Sequence, residues 1–282
     1  MPDPMPAATA SPASDLRHVL CLDDLSDAVW DDLLRSAVAH RRDEERHAGA
    51  AAGTSIGLVF MNPSLRTRTS MEGAAAHLGA HSLSLTPGNG AWALEWEAGA
   101  VMDGEAAEHV QEAFGVLSRY HDALGVRVFA DGSDYDADAR DEIIRTVAEA
   151  AMVPVINLES AWAHPCQGVA DAATLTERFE GDLEGKRFIL SWAQHPKALP
   201  MAVPNTALRT AARCGMDVTV ARPDSHPLDE DVVQQAAATA SEAGGSVTAT
   251  TDLEAAVTDA DVVYAKSWGG PLQYTDPEQE AE

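Results

Sequence analysis

Apolar positions along the chain fall into short runs that switch repeatedly between two periods. Ser55-Ile56-Gly57-Leu58-Val59-Phe60 reads as a short buried strand. Met71, Ala74, Ala75 and Leu78 then recur at i, i+3, i+4 and i+7, one face of a helix that Gly79 closes. Leu83 and Leu85 alternate with polar neighbours as a strand does. Upstream, Asp27 is placed to cap a helix through Trp30, Leu33, Leu34 and Val38, ending in the charged run 41–46, a solvated face. Helices are predicted around 106–121 and 138–150, with strands at 124–129 and 153–157. The second half repeats the idea, with strands at 188–192, 217–221, 246–249 and 261–265 separated by helices near 202–213, 229–243 and 252–258.

Strand–helix alternation of this kind builds parallel sheets covered on both faces. The expected fold class is therefore α/β, with two Rossmann-like domains, each a mostly parallel sheet with helices on both faces, joined by a bridging helix after His164. The expected divisions are a Pro-, Ala- and Ser-rich disordered tail at 1–14, a first domain at 15–163, a bridging helix and linker at 164–185, and a second domain at 186–282. The length of 282 residues agrees with two domains of about 130 to 150 residues. With 45% hydrophobic residues, each half can bury a substantial core.

Charge narrows the partners. Acidic residues number 45 against 19 basic ones, a formal net charge of -26. Such a surface repels nucleic acid and anionic membranes, so neither is an expected partner. A salt-adapted surface and an ordinary acidic enzyme both account for the excess. Cys21, Cys166 and Cys214 are far apart and form no CxxC pair, which fits a reducing cytosol. The N-terminus lacks a basic n-region and an apolar core, and no stretch approaches the ~18 apolar residues of a membrane span, so a soluble, cytoplasmic protein is expected. There is no GxGxxG and no GxxxxGK[ST], so nothing supports a nucleotide site.

The strongest local feature is Asn62-Pro63-Ser64-Leu65-Arg66-Thr67-Arg68-Thr69-Ser70, where the buried strand turns into the amphipathic helix. Free backbone N–H groups and the helix dipole make such a helix start an anion site. Ser64, Thr67 and Thr69 add neutral donors, and Arg66 and Arg68 add forked cationic ones. Two arginines at a helix start oppose the dipole, and an anion would offset them. The alternative is a capped helix with two solvated arginines.

Here the sequence resembles a known family. The Ser64-to-Arg68 run is similar to the phosphate-binding Ser-x-Arg-Thr-Arg loop of the aspartate and ornithine carbamoyltransferases, which implies carbamoyl-phosphate contacts from Ser64, Leu65, Arg66, Thr67 and Arg68. Gly125-Val126-Arg127 stands where that family carries the arginine that contacts the carbamoyl carbonyl. His164-Pro165-Cys166-Gln167 resembles its His-Pro-x-Gln motif, which grips the same group. His195-Pro196-Lys197-Ala198-Leu199-Pro200, followed by Val203-Pro204-Asn205, resembles the opening of its second-substrate domain. The chemistry so implied needs no metal, cofactor or covalent enzyme intermediate. A neutral amine attacks the carbamoyl carbon, a tetrahedral oxyanion forms and phosphate leaves, so the protein must neutralise phosphate and polarise a carbonyl. The resemblance gives Arg127, His164 and Gln167 the catalytic roles. Read alone, His164 could simply begin a turn and Arg127 could lie at a strand end. Nothing near Cys166 marks it as an activated nucleophile.

Within the family, Gly90-Ala91-Trp92-Ala93-Leu94-Glu95, Val101-Met102-Asp103-Gly104 and Val262-Val263-Tyr264-Ala265-Lys266-Ser267-Trp268-Gly269 resemble the N-acylornithine branch of bacterial arginine synthesis. The Ser-Met-Gly loop of plain ornithine enzymes is absent. The likeness implies a homotrimer in which Trp92 reaches a neighbouring subunit's site, with Lys266 on the substrate α-carboxylate and Glu159 and Asn205 as further substrate contacts. Packing on a loop is the bland alternative for Trp92. The position that carries glutamate in acetylornithine enzymes falls on Ala107, where no carboxylate would repel a succinyl group. N-succinylornithine is therefore the expected acceptor over N-acetylornithine, although the His-Pro-Cys-Gln wording leans toward acetyl. The family's C-terminal His-Cys-Leu-Pro segment is absent, so the acylornithine-binding domain is expected to be truncated and carbamoyl-phosphate binding to be better supported than turnover. Two other expectations stay open: an ornithine enzyme, and a non-catalytic carbamoyl-phosphate-binding relative.

Overall fold

The computed structural model describes residues 18–97, 99–104, 106–130, 132–276 and 280, and the tail expected at 1–14 lies outside them. The first half contains α1 (Asp27–Arg42), β1 (Ser55–Phe60), α2 (Leu65–His77), β2 (His81–Leu85), β3 (Leu94–Glu95), β4 (Glu108–His109), α3 (Val110–Leu117), β5 (Ala123–Arg127), α4 (Tyr135–Ala139), α5 (Glu142–Ala150) and β6 (Val155–Glu159). Then come α6 (Pro165–Arg178), β7 (Arg187–Trp192), α7 (Ala202–Arg213), β8 (Asp217–Ala221), α8 (Glu230–Glu242), β9 (Ser246–Thr250), α9 (Leu253–Val257) and β10 (Val262–Lys266). One parallel sheet has the order β2-β1-β5-β6 and a second has the order β10-β7-β8-β9. This is the expected two-domain α/β architecture.

Each sheet has its own core. Val59, Phe114, Leu124, Val126, Ile144 and Val155 are buried together in the first half. Phe188, Leu190, Leu208, Val218, Val220 and Trp268 are buried together in the second. Helix α6 lies between α1 and α7. Its Pro165 occupies the first turn, where a missing N–H costs nothing. Gly168 allows the close approach to α7, since an added Cβ would lie 2.6 Å from Leu22, 2.7 Å from Thr210 Oγ1 and 2.8 Å from Thr206 Cγ2. Gly168→Ala is expected to destabilise the chain by about 1–3 kcal/mol through overpacking, read as a lower denaturant midpoint at unchanged slope.

Four local expectations are corrected. Ser26, not Asp27, caps α1, its Oγ accepting from Val29 N at 3.4 Å, while Asp27 occupies the first helical position. The helix expected over 106–121 is confined to Val110–Leu117, because Glu108 and His109 pair with Leu94 and Glu95 as β4. The helix expected over 138–150 starts earlier and is split into α4 and α5 by Asp141, whose φ of 53 breaks the helical path. Of the apolar face expected on α2 only Ala75 is buried, and Ala74 is exposed. No helix among the described residues is long and apolar enough to cross a membrane.

Candidate active site

Parallel α/β sheets collect ligand contacts at the carboxyl ends of their strands, where chain turns leave backbone donors free. Ser64, Arg127, Glu159 and Lys266 of the expected site residues sit at or just after such strand ends. At the end of β1, Asn62 Oδ1 accepts from Phe129 N at 2.7 Å, tying the turn before α2 to the segment after β5. Ser64 is extended (φ -154, ψ 123) and its Oγ accepts from Thr67 N at 3.1 Å, so it caps α2. The first turn of α2 holds no acidic residue. Arg68 lies over the Phe60 ring at 4.9 Å and donates to Thr86 Oγ1 at 2.8 Å, whereas Arg66 is exposed. The Leu65 side chain is 84% exposed, so only its backbone can serve an anion. The result is a positive helix start with one braced guanidinium and one exposed one.

A second group assembles around Glu159. Arg127 ends β5 and Glu159 ends β6, adjacent in register, and Arg127 Nη1 pairs with Glu159 Oε2. His164 Nε2 lies 3.7 Å from the same carboxylate oxygen. Lys266, the last residue of β10, donates from Nζ to Ser267 O at 2.9 Å. Burial holds its ammonium below the usual lysine range, while the charge of Glu159 opposes that shift. Burial likewise depresses the His164 imidazole, with Arg127 adding to the effect and Glu159 opposing it. The ring is therefore kept neutral at pH 7. Arg127 stacks on Phe129 at 4.4 Å, and among the described residues its buried Nε has no hydrogen-bond partner, nor does His164 Nδ1. These are donors and acceptors ready for a polar ligand.

The remaining expected residues are placed less directly. Asn205 is fully buried on α7, with Nδ2 donating to Trp162 O at 3.5 Å and Oδ1 unpaired among the described residues. Gln167 is turned along α6, donating to Asp171 Oδ1 at 2.8 Å. Trp92 is 70% exposed and Ala107 is exposed, both on the outer segment between β2 and α3. Cys166 is half-buried, and desolvation pushes its thiol up to about 11, as an unreactive cysteine should be.

Sequence reasoning missed Asn157, which sets the geometry. Its fully buried amide donates to Leu20 O at 2.8 Å, Ser160 Oγ at 2.7 Å and Ala163 O at 3.2 Å, and its Oδ1 accepts from Glu159 N at 2.9 Å. That network holds the turn between Glu159 and His164, in which Glu159 adopts an unfavourable φ of 140. Ser160 continues it to Asp141 Oδ2 at 2.5 Å. The available signal was one amide inside an otherwise apolar strand.

Residues 17–177 match the carbamoyl-phosphate-binding domain model of aspartate/ornithine carbamoyltransferases, and residues 201–282 match the Asp/Orn-binding domain model. The chain belongs to this family. It is 45% identical over 256 residues to an N-acetylornithine carbamoyltransferase of Xanthomonas campestris, covering 90% of this chain and 75% of the relative. It is 32% identical over 257 residues to an N-succinylornithine carbamoyltransferase of Bacteroides thetaiotaomicron, again covering 90% and 75%. A crystal structure of a glutamate-to-alanine variant of N-acetyl-L-ornithine transcarbamylase with carbamyl phosphate and N-succinyl-L-norvaline superimposes with a TM-score of 0.90 at 44% identity, covering 94% of this chain and 80% of that one. As a family member, the chain is a carbamoyltransferase with a carbamoyl-phosphate-binding domain and a domain for an aspartate- or ornithine-type amine.

Proposed function

We propose that this carbamoyltransferase transfers the carbamoyl group to the δ-amine of an N-acylornithine, giving N-acylcitrulline and phosphate in arginine biosynthesis. The observation that carries the reading is the meeting of Arg127 and His164 on Glu159, with Arg127 in register with Phe60, four residues before the helix start at Ser64. The α2 N–H groups, Ser64, Thr67, Arg66 and Arg68 take the phosphate, with Leu65 contributing backbone only. Arg127 and a donor from His164 hold the carbamoyl oxygen as it becomes an oxyanion. Gln167, released from Asp171, orients the carbamoyl NH₂. The neutral δ-amine forms the C–N bond, the C–O bond to phosphate breaks, and the amine's surplus proton ends on phosphate. Lys266 binds the substrate α-carboxylate, with Glu159 and Asn205 as further contacts. The division is the one proposed above, with carbamoyl phosphate on 15–163, the bridge at 164–185 and the amine on 186–282.

The exposure of Trp92 supports a homotrimer in which this ring completes a neighbouring subunit's site. The net charge supports small-molecule partners only, and the three free cysteines support a cytoplasmic location. Ala107 favours N-succinylornithine, because no carboxylate at that position would repel a succinyl group. The higher identity to the acetyl-type relative, 45% against 32%, favours N-acetylornithine as the second reading. A citrulline-forming assay with N-succinylornithine, N-acetylornithine and ornithine discriminates between them. Turnover of an acylated amine and none of ornithine is expected. Absence of any rate with N-succinylornithine would remove the succinyl assignment, and absence with both acyl substrates would remove the transfer reading for this chain.

A further inference from the structure

A cleft of about 720 Å³ opens where the two halves meet, and none of Arg127, Glu159, His164 or Lys266 lines it. Tyr135 and Asp136 of α4 and the side chain of Trp162 form one side, and Arg209 of α7 with Asp229 and Asp231 at the start of α8 form the other. Its two ends differ in what they lack. At the inner end, the Arg209 side chain is only 8% exposed. Its Nε stands 2.6 Å from Asp23 Oδ2, but its buried Nη1 has no hydrogen-bond partner among the described residues. An unused guanidinium N–H in such a place is costly unless an anionic oxygen accepts from it.

At the mouth the need is reversed. Six aspartates against three arginines line the cleft, so it carries excess negative charge. Several of those carboxylates are already engaged. Asp24 pairs with Arg145 at 3.4 Å, Asp229 accepts from Tyr135 at 2.5 Å and caps α8, and Asp141 accepts from Ser160. Asp136 and Asp231, both exposed, have no ion pair among the described residues. An edge-to-face pair of Tyr135 and Trp162, with centroids 5.6 Å apart, supplies an aromatic wall between the two ends.

We infer that this cleft is a second ligand site, for a small zwitterion with a basic side chain, its carboxylate on Arg209 and its cationic end between Asp136 and Asp231. Occupancy bears on the transfer site through two short paths. Arg209 is one helical turn beyond Asn205 on α7, and Thr206 beside Asn205 accepts from His164 N at 2.9 Å. Trp162 and Ala163, both in the cleft wall, directly precede His164. The ligand therefore touches residues of both halves at the point where the donors of the site are held, and its binding is linked to substrate affinity.

L-arginine is a suitable probe, titrated into the full chain and followed by calorimetry and by tryptophan fluorescence. Neither readout needs turnover, so its result is separate from the fate of the transfer reading. Saturable one-to-one binding is expected, with agmatine, which lacks the carboxylate, at least about tenfold weaker. The Asp136→Asn, Asp231→Asn double variant, altered only at exposed positions, is expected to bind about tenfold more weakly while still unfolding cooperatively, with a slightly lower Tm from the two lost first-turn charges. Arg209→Lys, which keeps the charge and loses the fork, is expected to weaken the probe without unfolding the chain. No saturable binding to the unaltered chain, equal binding of agmatine, or full affinity in the double variant would each overturn the assignment.

Discussion

Arg127→Met is expected to lower kcat by about 10²–10³-fold while carbamoyl-phosphate binding falls much less. The two effects separate because the phosphate cradle at the start of α2 is built from other residues, braced by Ser64 and by Asn62. Arg127 faces the place where charge develops, so its loss weighs on the transition state more than on the bound ground state. A lysine there restores the charge but not the fork, and only partial rescue is expected. A second readout identifies the mechanism. Arg127 lowers the proton affinity of His164, so removing it leaves Glu159 to act without that opposition. The limb of the pH–rate profile that reports His164 should move to higher pH in the variant. An unmoved profile with a large kcat loss would confine Arg127 to a role away from His164.

The second large effect is on stability. Burial pushes the Asp141 carboxyl up to about 6, from an ordinary value of 3.8, against the opposing hydrogen bonds of Ser160 and the backbone of Trp162 and Ala161. Its folded pKa is the higher one, so the folded chain binds the proton more tightly. The associated stability is fully present below pH 3.8 and is lost as pH rises through about 6. The difference corresponds to about 3 kcal/mol. Asp141→Asn, which still accepts from Ser160, should remove this dependence. Denaturant unfolding at pH 4 and pH 7 should therefore show the variant gaining about 2 kcal/mol relative to the native chain between the two values. Comparing the two proteins cancels the titration of the other carboxylates. Parallel curves would show that Asp141 stays ionised in the folded state.

Much of the fold was readable because many segments express their period without help. Helix α7 and strand β8 coincide with their expected spans, each carrying a dense apolar pattern between clear breaks. The misses come from partners distant in sequence. Nothing local reveals that Glu108 pairs with Leu94, or that Asp141 turns inward to meet Ser160 and so divides a helix. The same distinction runs through the site. Ser64 to Arg68 and His164 stand out because strand-to-helix turns and the residue before a proline have local signatures. Arg127 was found by resemblance alone, and its pairing with Glu159 needs β5 and β6 side by side. Asn157 was overlooked because an amide in a strand looks like a defect until all its hydrogen bonds are seen.

Trp162 packs in the core of the second half, while the very next carbonyl, that of Ala163, is held by Asn157 from the first. One peptide unit thus joins two separately anchored bodies just before His164. Any swing of one half against the other has almost no slack to absorb it there, so it must reappear as a displacement of the imidazole. Substrate capture by the second half and grip on the carbamoyl group by the first are then mechanically geared. Their affinities should rise and fall together even though the two ligands occupy different domains.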